Sequence, residues 1–137
     1  MNKENFVKLM SFAEADAKLP DNFDDLMNKN LQIPSLIQRW TKVYTEQNAL
    51  VERLKMDKGE KYGKLVEFYR FHDKIAWPDR QIDGQINSNA DFLKICRDLE
   101  EQKFYLEYIK ETLANIKGLS FQIKNYLDYK KIISTNF

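Results

Sequence analysis

The chain is poor in the residues that carry most chemistry and most chain punctuation. It has one cysteine, Cys96, and one histidine, His72. A lone cysteine excludes a disulfide framework and agrees with a reducing compartment. There is no Gly-rich phosphate loop and no clustered metal-ligand spacing, so no catalytic, metal or cofactor site is expected. Cys96 follows Ile95 on the apolar side of a helical pattern and reads as a buried structural thiol. His72 reads as a surface or cap residue, with a phosphate contact as its functional alternative. Only four Gly and three Pro are present, which favours a few long elements. No apolar run approaches the eighteen residues of a membrane span. Met1 to Met10 is broken by Lys3, Glu4 and Lys8 and lacks a signal-peptide core. A soluble cytosolic protein with no membrane partner is expected.

Aromatic residues, by contrast, are plentiful: nine Phe, seven Tyr and two Trp among 137 residues. That is material for one domain, or for a core with an N-terminal extension. The net charge is +1, so any nucleic-acid footprint has to be local. The charge is unevenly placed: residues 1–38 carry net −2, residues 39–74 net +3, residues 75–102 net −3 and residues 103–137 net +3.

The strongest pattern lies near the C-terminus. One apolar row runs Phe92, Leu99, Leu106, Leu113, Ser120, Leu127, and a second runs Ile95, Gln102, Ile109, Ile116, Ile123, Lys130. A seven-residue repeat sustained over five heptads keeps one helix face against a partner helix. Such a helix, reaching about Ile133, is roughly 60 Å long at 1.5 Å per residue. The remainder of so small a chain is not expected to cover it, so self-association through Leu99, Leu106, Ile109, Leu113, Ile116, Ile123 and Leu127 is expected. Leu in the first row with Ile in the second favours more than two chains. Five lysines, Lys103, Lys110, Lys117, Lys124 and Lys131, flank the seam at the same spacing. They either set register through pairs with Glu100, Glu107, Glu111 and Asp128 or form a track for a polyanion.

The fold class expected is all-α: a short N-terminal helix, a long helix and a heptad-patterned C-terminal helix that assembles into a homo-oligomeric ring or bundle. The first helix covers Asn5–Lys18, and Pro20 ends it. Asp21–Asn30 reads as an acidic linker or a docking segment, giving an N-terminal region of 1–33. Pro34 reads as the first residue of the long helix, which occupies 34–77. Gly59 and Gly63 mark a bend or a solvated stretch within it. Residues 78–88 read as a loop with an Asp83–Gly84 turn. Ser88-Asn89-Ala90-Asp91 reads as a capping box opening the final segment, 89–137.

Within 34–77, cations and rings interleave. Arg53, Lys55, Lys58, Lys61, Lys64, Arg70 and Lys74 alternate with Tyr44, Tyr62, Phe68, Tyr69, Phe71 and Trp77. Single-stranded nucleic acid needs both components: cations along the phosphates and rings on which bases stack. The candidate binding set is Arg53, Lys55, Lys58, Lys61, Tyr62, Lys64, Arg70 and Lys74. The competing reading is a wet lysine face over a core of Trp40, Phe68 and Tyr69.

Two stretches carry a family likeness. One holds Arg39-Trp40, then, without gaps, Arg53, Lys58 and Leu65-Val66-Glu67-Phe68-Tyr69. The other is Leu113-Ala114-Asn115-Ile116-Lys117-Gly118-Leu119-Ser120-Phe121-Gln122-Ile123-Lys124. With Ala-x-Ile-Lys followed by Phe-x-Ile-Lys in the second, set against the family's Ala-Ile-Lys and Phe-x-Ile-Lys, the chain resembles the UvsY recombination mediators of T-even-like bacteriophages over about half its length. The resemblance implies an all-helical ring, a hexamer or heptamer, closed by C-terminal helices. It implies binding of single-stranded DNA, loosening of the phage single-strand-binding protein and loading of a RecA-type recombinase, in the cytoplasm of the infected bacterial host and without catalysis. One departure is plain. The family's basic pair before the Leu-acid-aromatic-Tyr block falls here on Gly63 and Leu65, and only Lys64 between them is basic. The expectation is that Lys58, Lys61 and Lys64, with Arg53 and Arg70, take over its role. The alternative is a structural helical oligomer or assembly adaptor whose lysines only set register.

Overall fold

The computed structural model describes residues 1–136. Its elements are α1 (Lys3–Ala17), α2 (Phe23–Glu67), a single π-helical turn (Phe68–His72), α3 (Asp79–Asn87) and α4 (Ala90–Asn136). No strand occurs among the described residues, so the class is all-α. Phe137, the end of the expected 89–137 segment, lies outside the described residues. No helix described is long and apolar enough to cross a membrane. The chain divides into two compact units, one of Met1–Glu46 with the chain from Glu107 on, the other of Gln47–Leu106.

In the first unit, α1 starts where the Asn2 side chain accepts the backbone N–H of Asn5 at 2.8 Å, satisfying an orphan donor of the first turn. At its other end the Lys29 ammonium donates to the Ala15 carbonyl at 3.1 Å. Burial pushes that lysine below the ordinary ammonium range, with Asp16 acting in the opposite sense. Asp16 accepts both the Arg39 guanidinium and the Trp40 indole N–H, the latter at 2.9 Å. This ties α1 to α2 through an anchor that holds Trp40 in the core.

Helix α2 begins eleven residues before Pro34, so Asp21–Asn30 is not a linker and Pro34 lies inside the helix. Two local features explain the early start. Asn22 caps it, accepting from the Asp25 N–H at 2.9 Å while its own amide donates to the Asp25 carboxylate at 2.6 Å. Leu26 and Ile33 are then buried against Leu119 and Ile123 of α4. Tertiary burial thus overrides the roughly 3 kcal/mol that a proline costs in a helix interior.

The second heptad row has the same fate. Ile109 and Ile116 are completely buried with Ala13, Leu36 and Trp40, and Ile123 with Leu26 and Ile33. This corrects the expectation that these three isoleucines face another chain. Because α2 reaches back to Phe23, the chain has enough helix to cover them itself.

In the second unit, α3 replaces the expected 78–88 loop. Ile82 and Ile86 are one turn apart and pack on Leu65 and Phe92. Asp83–Gly84 makes no turn, because Gly84 sits in the helix without positive φ. Asn89 caps α4 by accepting the Phe92 N–H at 3.1 Å. Ser88 instead closes α3, its hydroxyl donating to the Gly84 carbonyl, so the expected capping box shrinks to Asn89 alone. The seam's one uncharged long polar residue, Gln102, is matched by Gln47, only 4% exposed, whose amide donates to the Gln102 side chain at 2.8 Å and to its carbonyl at 3.1 Å.

The helix interiors and the phenol contacts can each be tested. Pro34→Ala, at an exposed position, restores a backbone donor and is expected to stabilise the chain by about 1–3 kcal/mol in thermal or urea unfolding; an unchanged midpoint would contradict a continuous α2. The Tyr62 and Tyr105 hydroxyls donate to Asp83 and Glu101, which, with burial second, holds both above the usual tyrosine range. A raised folded value gives stability that is complete below about pH 10 and lost as pH rises through it. Stability should therefore fall more steeply above about pH 10 in the native chain than in Tyr62→Phe/Tyr105→Phe, with equal slopes contradicting the assignment.

Candidate nucleic-acid interface

Apart from Tyr44, which packs in the first unit, the interleaved cations and rings belong to the second unit, on the C-terminal half of α2, the π turn and the segment after it. Their positions follow from the helix repeat and from which residues the core claims. Val51 and Leu65 are buried, which sets the inward direction of this part of α2. Lys58 and Lys61 lie close to that direction and are half-buried, whereas Arg53 and Lys64 are exposed. Arg53 and Lys64 are eleven residues apart, three turns plus about 20° at 3.6 residues per turn, so they share one outward face. Lys58, Lys61 and Lys64 fan out instead, because each step of three residues rotates about 60°. The lysine triplet is therefore not one face, and the cations spread around the helix.

Acidic partners divide the set further. Lys55 pairs with Glu52 at 3.0 Å, Lys61 with Asp91 at 3.9 Å and Arg70 with Asp79 at 3.3 Å. His72 lies 3.7 Å from Glu67, a pair that is ionic only when the imidazole is protonated. Apart from half-buried Lys61 these groups are substantially exposed, so each pair is worth little and can be displaced. Arg53, Lys58, Lys64 and Lys74 have no carboxylate within 4 Å among the described residues. Asp79, Asp83 and Asp91 come from α3 and the start of α4. Asp79 and Asp83 lie in the segment expected as the 78–88 loop, although they stand at a helical spacing of four, and no local spacing relates Asp91 to Lys61.

The rings divide in the same way. Tyr62 gives its hydroxyl to Asp83, and its ring tilts against Phe92 with centroids 6.1 Å apart. Tyr69 accepts from the Asn89 amide at 3.2 Å and packs on the Leu65–Ile86 cluster with Trp77, whose indole N–H donates to Asp73 at 2.8 Å. These three are held by the fold. Phe68 and Phe71 are not: they stand out from the π turn, which closes through the Asp73 N–H to the Phe68 carbonyl at 2.9 Å.

The expected association residues are also distributed. Leu99 is buried, Leu106, Leu113 and Leu127 are half-buried, and Ile109, Ile116 and Ile123 are fully covered within the chain. The exposed apolar groups on the C-terminal half of α4 are Phe121, Tyr129 and Ile132. Lys110, Lys117, Lys124 and Lys131 are exposed, and Lys103 pairs with Glu100 at 3.3 Å.

Three crystal structures of the bacteriophage T4 recombination mediator protein UvsY resemble this architecture. Lattice type II has a TM-score of 0.82 at 16% identity, covering 98% of each chain. Lattice type IV has 0.79 at 17% identity, covering 96% of this chain and 98% of that one. Lattice type I has 0.79 at 15% identity, covering 91% and 98%. At such identities the likeness is one of fold. No curated protein matches the sequence. The model of the family described as recombination, repair and ssDNA binding protein UvsY matches residues 13–136. That span takes in both units, including the cations of α2 and the heptads of α4, and the chain belongs to the UvsY family.

Proposed function

We propose that this protein is a recombination mediator. It binds single-stranded DNA as a homo-oligomer, loosens the phage single-strand-binding protein from the strand and promotes loading of a RecA-type recombinase, in recombination-dependent replication and repair in the infected host's cytoplasm. Beyond family membership, the observation that supports this reading is a set of cations without ionic partners among the described residues, Arg53, Lys58, Lys64 and Lys74, on the same unit as the exposed rings of the π turn. Unpaired cations attract phosphate at no cost in broken ion pairs, and each phosphate neutralised releases counterions from the strand.

One such site is weak, which is why assembly belongs to the mechanism. When one protomer holds the strand, the next site acts at high local concentration, and avidity exceeds single-site affinity by about 10²–10⁴. Since the isoleucine row is used inside the chain, self-association falls to what α4 leaves open, Phe121 and Ile132 with the edge residues Leu113 and Leu127. A particle holding several stretches of one strand would bend or extend it into a path unsuited to the covering protein and suited to the recombinase. No catalytic step is part of this reading.

Replacing Lys64 and Lys74 together by Gln should weaken binding of single-stranded DNA equally for all base compositions. The salt slope should become shallower by about 0.7 for each phosphate that is no longer neutralised. Lys55→Gln, which removes a cation already paired with Glu52, should do less. Anisotropy titrations that rank the variants the other way would contradict this assignment. Phe121→Asp with Ile132→Asp should lower the sedimenting mass and weaken DNA binding together; full-strength binding by the smaller species would remove assembly from the mechanism.

A further inference from the structure

The π turn leaves apolar surface in water that the fold does not use. Phe71 is 71% exposed, Phe68 43% and Ile75 59%. Their aromatic neighbours in sequence are spent on the core, Tyr69 through Asn89 and the Leu65 cluster, Trp77 through Asp73. The Phe68 and Tyr69 rings meet in a T-shaped contact with centroids 5.3 Å apart. Phe71 has no ring or cation partner among the described residues. Isolated π turns recur at functional sites, where a rarer hydrogen-bond pattern is kept for what it presents.

The charge around these rings decides what they are presented to. Arg70, His72 and Lys74 alternate with Phe71 along the chain, and Lys64 lies one turn before Phe68. Lys64 and Lys74 have no ionic partner among the described residues, and the exposed Arg70–Asp79 pair opens readily to a stronger anion. Rings with free faces among cations fit a flexible polyanion that carries its own flat rings. Single-stranded nucleic acid has that chemistry, whereas duplex bases are already stacked.

Resting on the proposed function above, we infer that the π turn is a base-stacking platform: Phe71, with Phe68, stacks unpaired bases while Lys64, Arg70 and Lys74 take the adjoining phosphates. The stacking is separate from the electrostatic attraction, because it is insensitive to salt and needs a base. It also supplies the mediator with a grip on unpaired bases that tolerates any sequence.

The test compares the full chain with Phe71→Ala and Phe71→Trp, on an oligo(dT) and on an abasic oligomer of equal length, by anisotropy across a salt series. Phe71→Ala should weaken oligo(dT) binding about five- to 150-fold with an unchanged salt slope, and Phe71→Trp should restore it. The native protein should bind the abasic strand more weakly by a similar factor, and Phe71→Ala should bind that strand as the native protein does. Equal binding of oligo(dT) by the native protein and Phe71→Ala would overturn the platform, as would an equal weakening on both strands, which marks a purely structural effect. In either case native binding to oligo(dT) leaves the mediator reading standing. A native protein that binds neither strand at low salt takes both readings down.

Discussion

An isoleucine every seventh residue along α4 has to be kept from water, and the chain does this largely with its own helices. Ile109, Ile116 and Ile123 are completely buried against α1 and the first half of α2. At about 1.5–3 kcal/mol for each fully buried aliphatic side chain, this row is among the largest stabilising terms in the first unit. It also explains two otherwise costly features. Pro34 is tolerated inside α2 because Leu26, two turns before it, and Ile33, beside it, pack on Leu119 and Ile123. Asp16 is fixed at the end of α1 because Trp40, which it holds, fills the space beside Ile109 and Ile116.

Much of this was legible in the sequence, and the failures share a cause. The heptads, the long helices and the Asn89 cap are local patterns written in residue spacing. The early start of α2 and the existence of α3 are not local. A proline in one and Asp83–Gly84 in the other argue against helix, and both are outvoted by pairs of apolar side chains, Leu26 with Ile33 and Ile82 with Ile86, that find partners far along the chain. A helix that began at Pro34 would lack Leu26 and Ile33 and would leave Ile123 without its cover inside the chain. The candidate site shows the same division. That cations and rings interleave was readable; which of them are neutralised was not, because Asp79, Asp83 and Asp91 belong to elements whose placement spacing does not reveal.

The result is a family member that keeps the expected chemistry in a thinner form. Where the family resemblance leads one to expect a basic pair stand Gly63 and Leu65, and Leu65 is a core residue. The cations that remain are spread around α2 and partly paired. In the proposed function such a surface would bind a strand weakly, and two devices would compensate: repetition of the site through assembly, and a contribution from exposed rings that does not depend on charge. On that reading net charge near neutrality becomes an advantage, since weak sites would let the strand pass on to another protein.

The salt dependence of native binding is the most direct test of a strand shared among protomers. With the seven cations of the candidate site, Arg53, Lys55, Lys58, Lys61, Lys64, Arg70 and Lys74, one protomer supplies a slope of at most about −4.9 in log K against log salt, at 0.7 per phosphate. A linear fall steeper than that is predicted, because several protomers hold one strand. A slope within the single-protomer limit, or no binding at low salt, would contradict it.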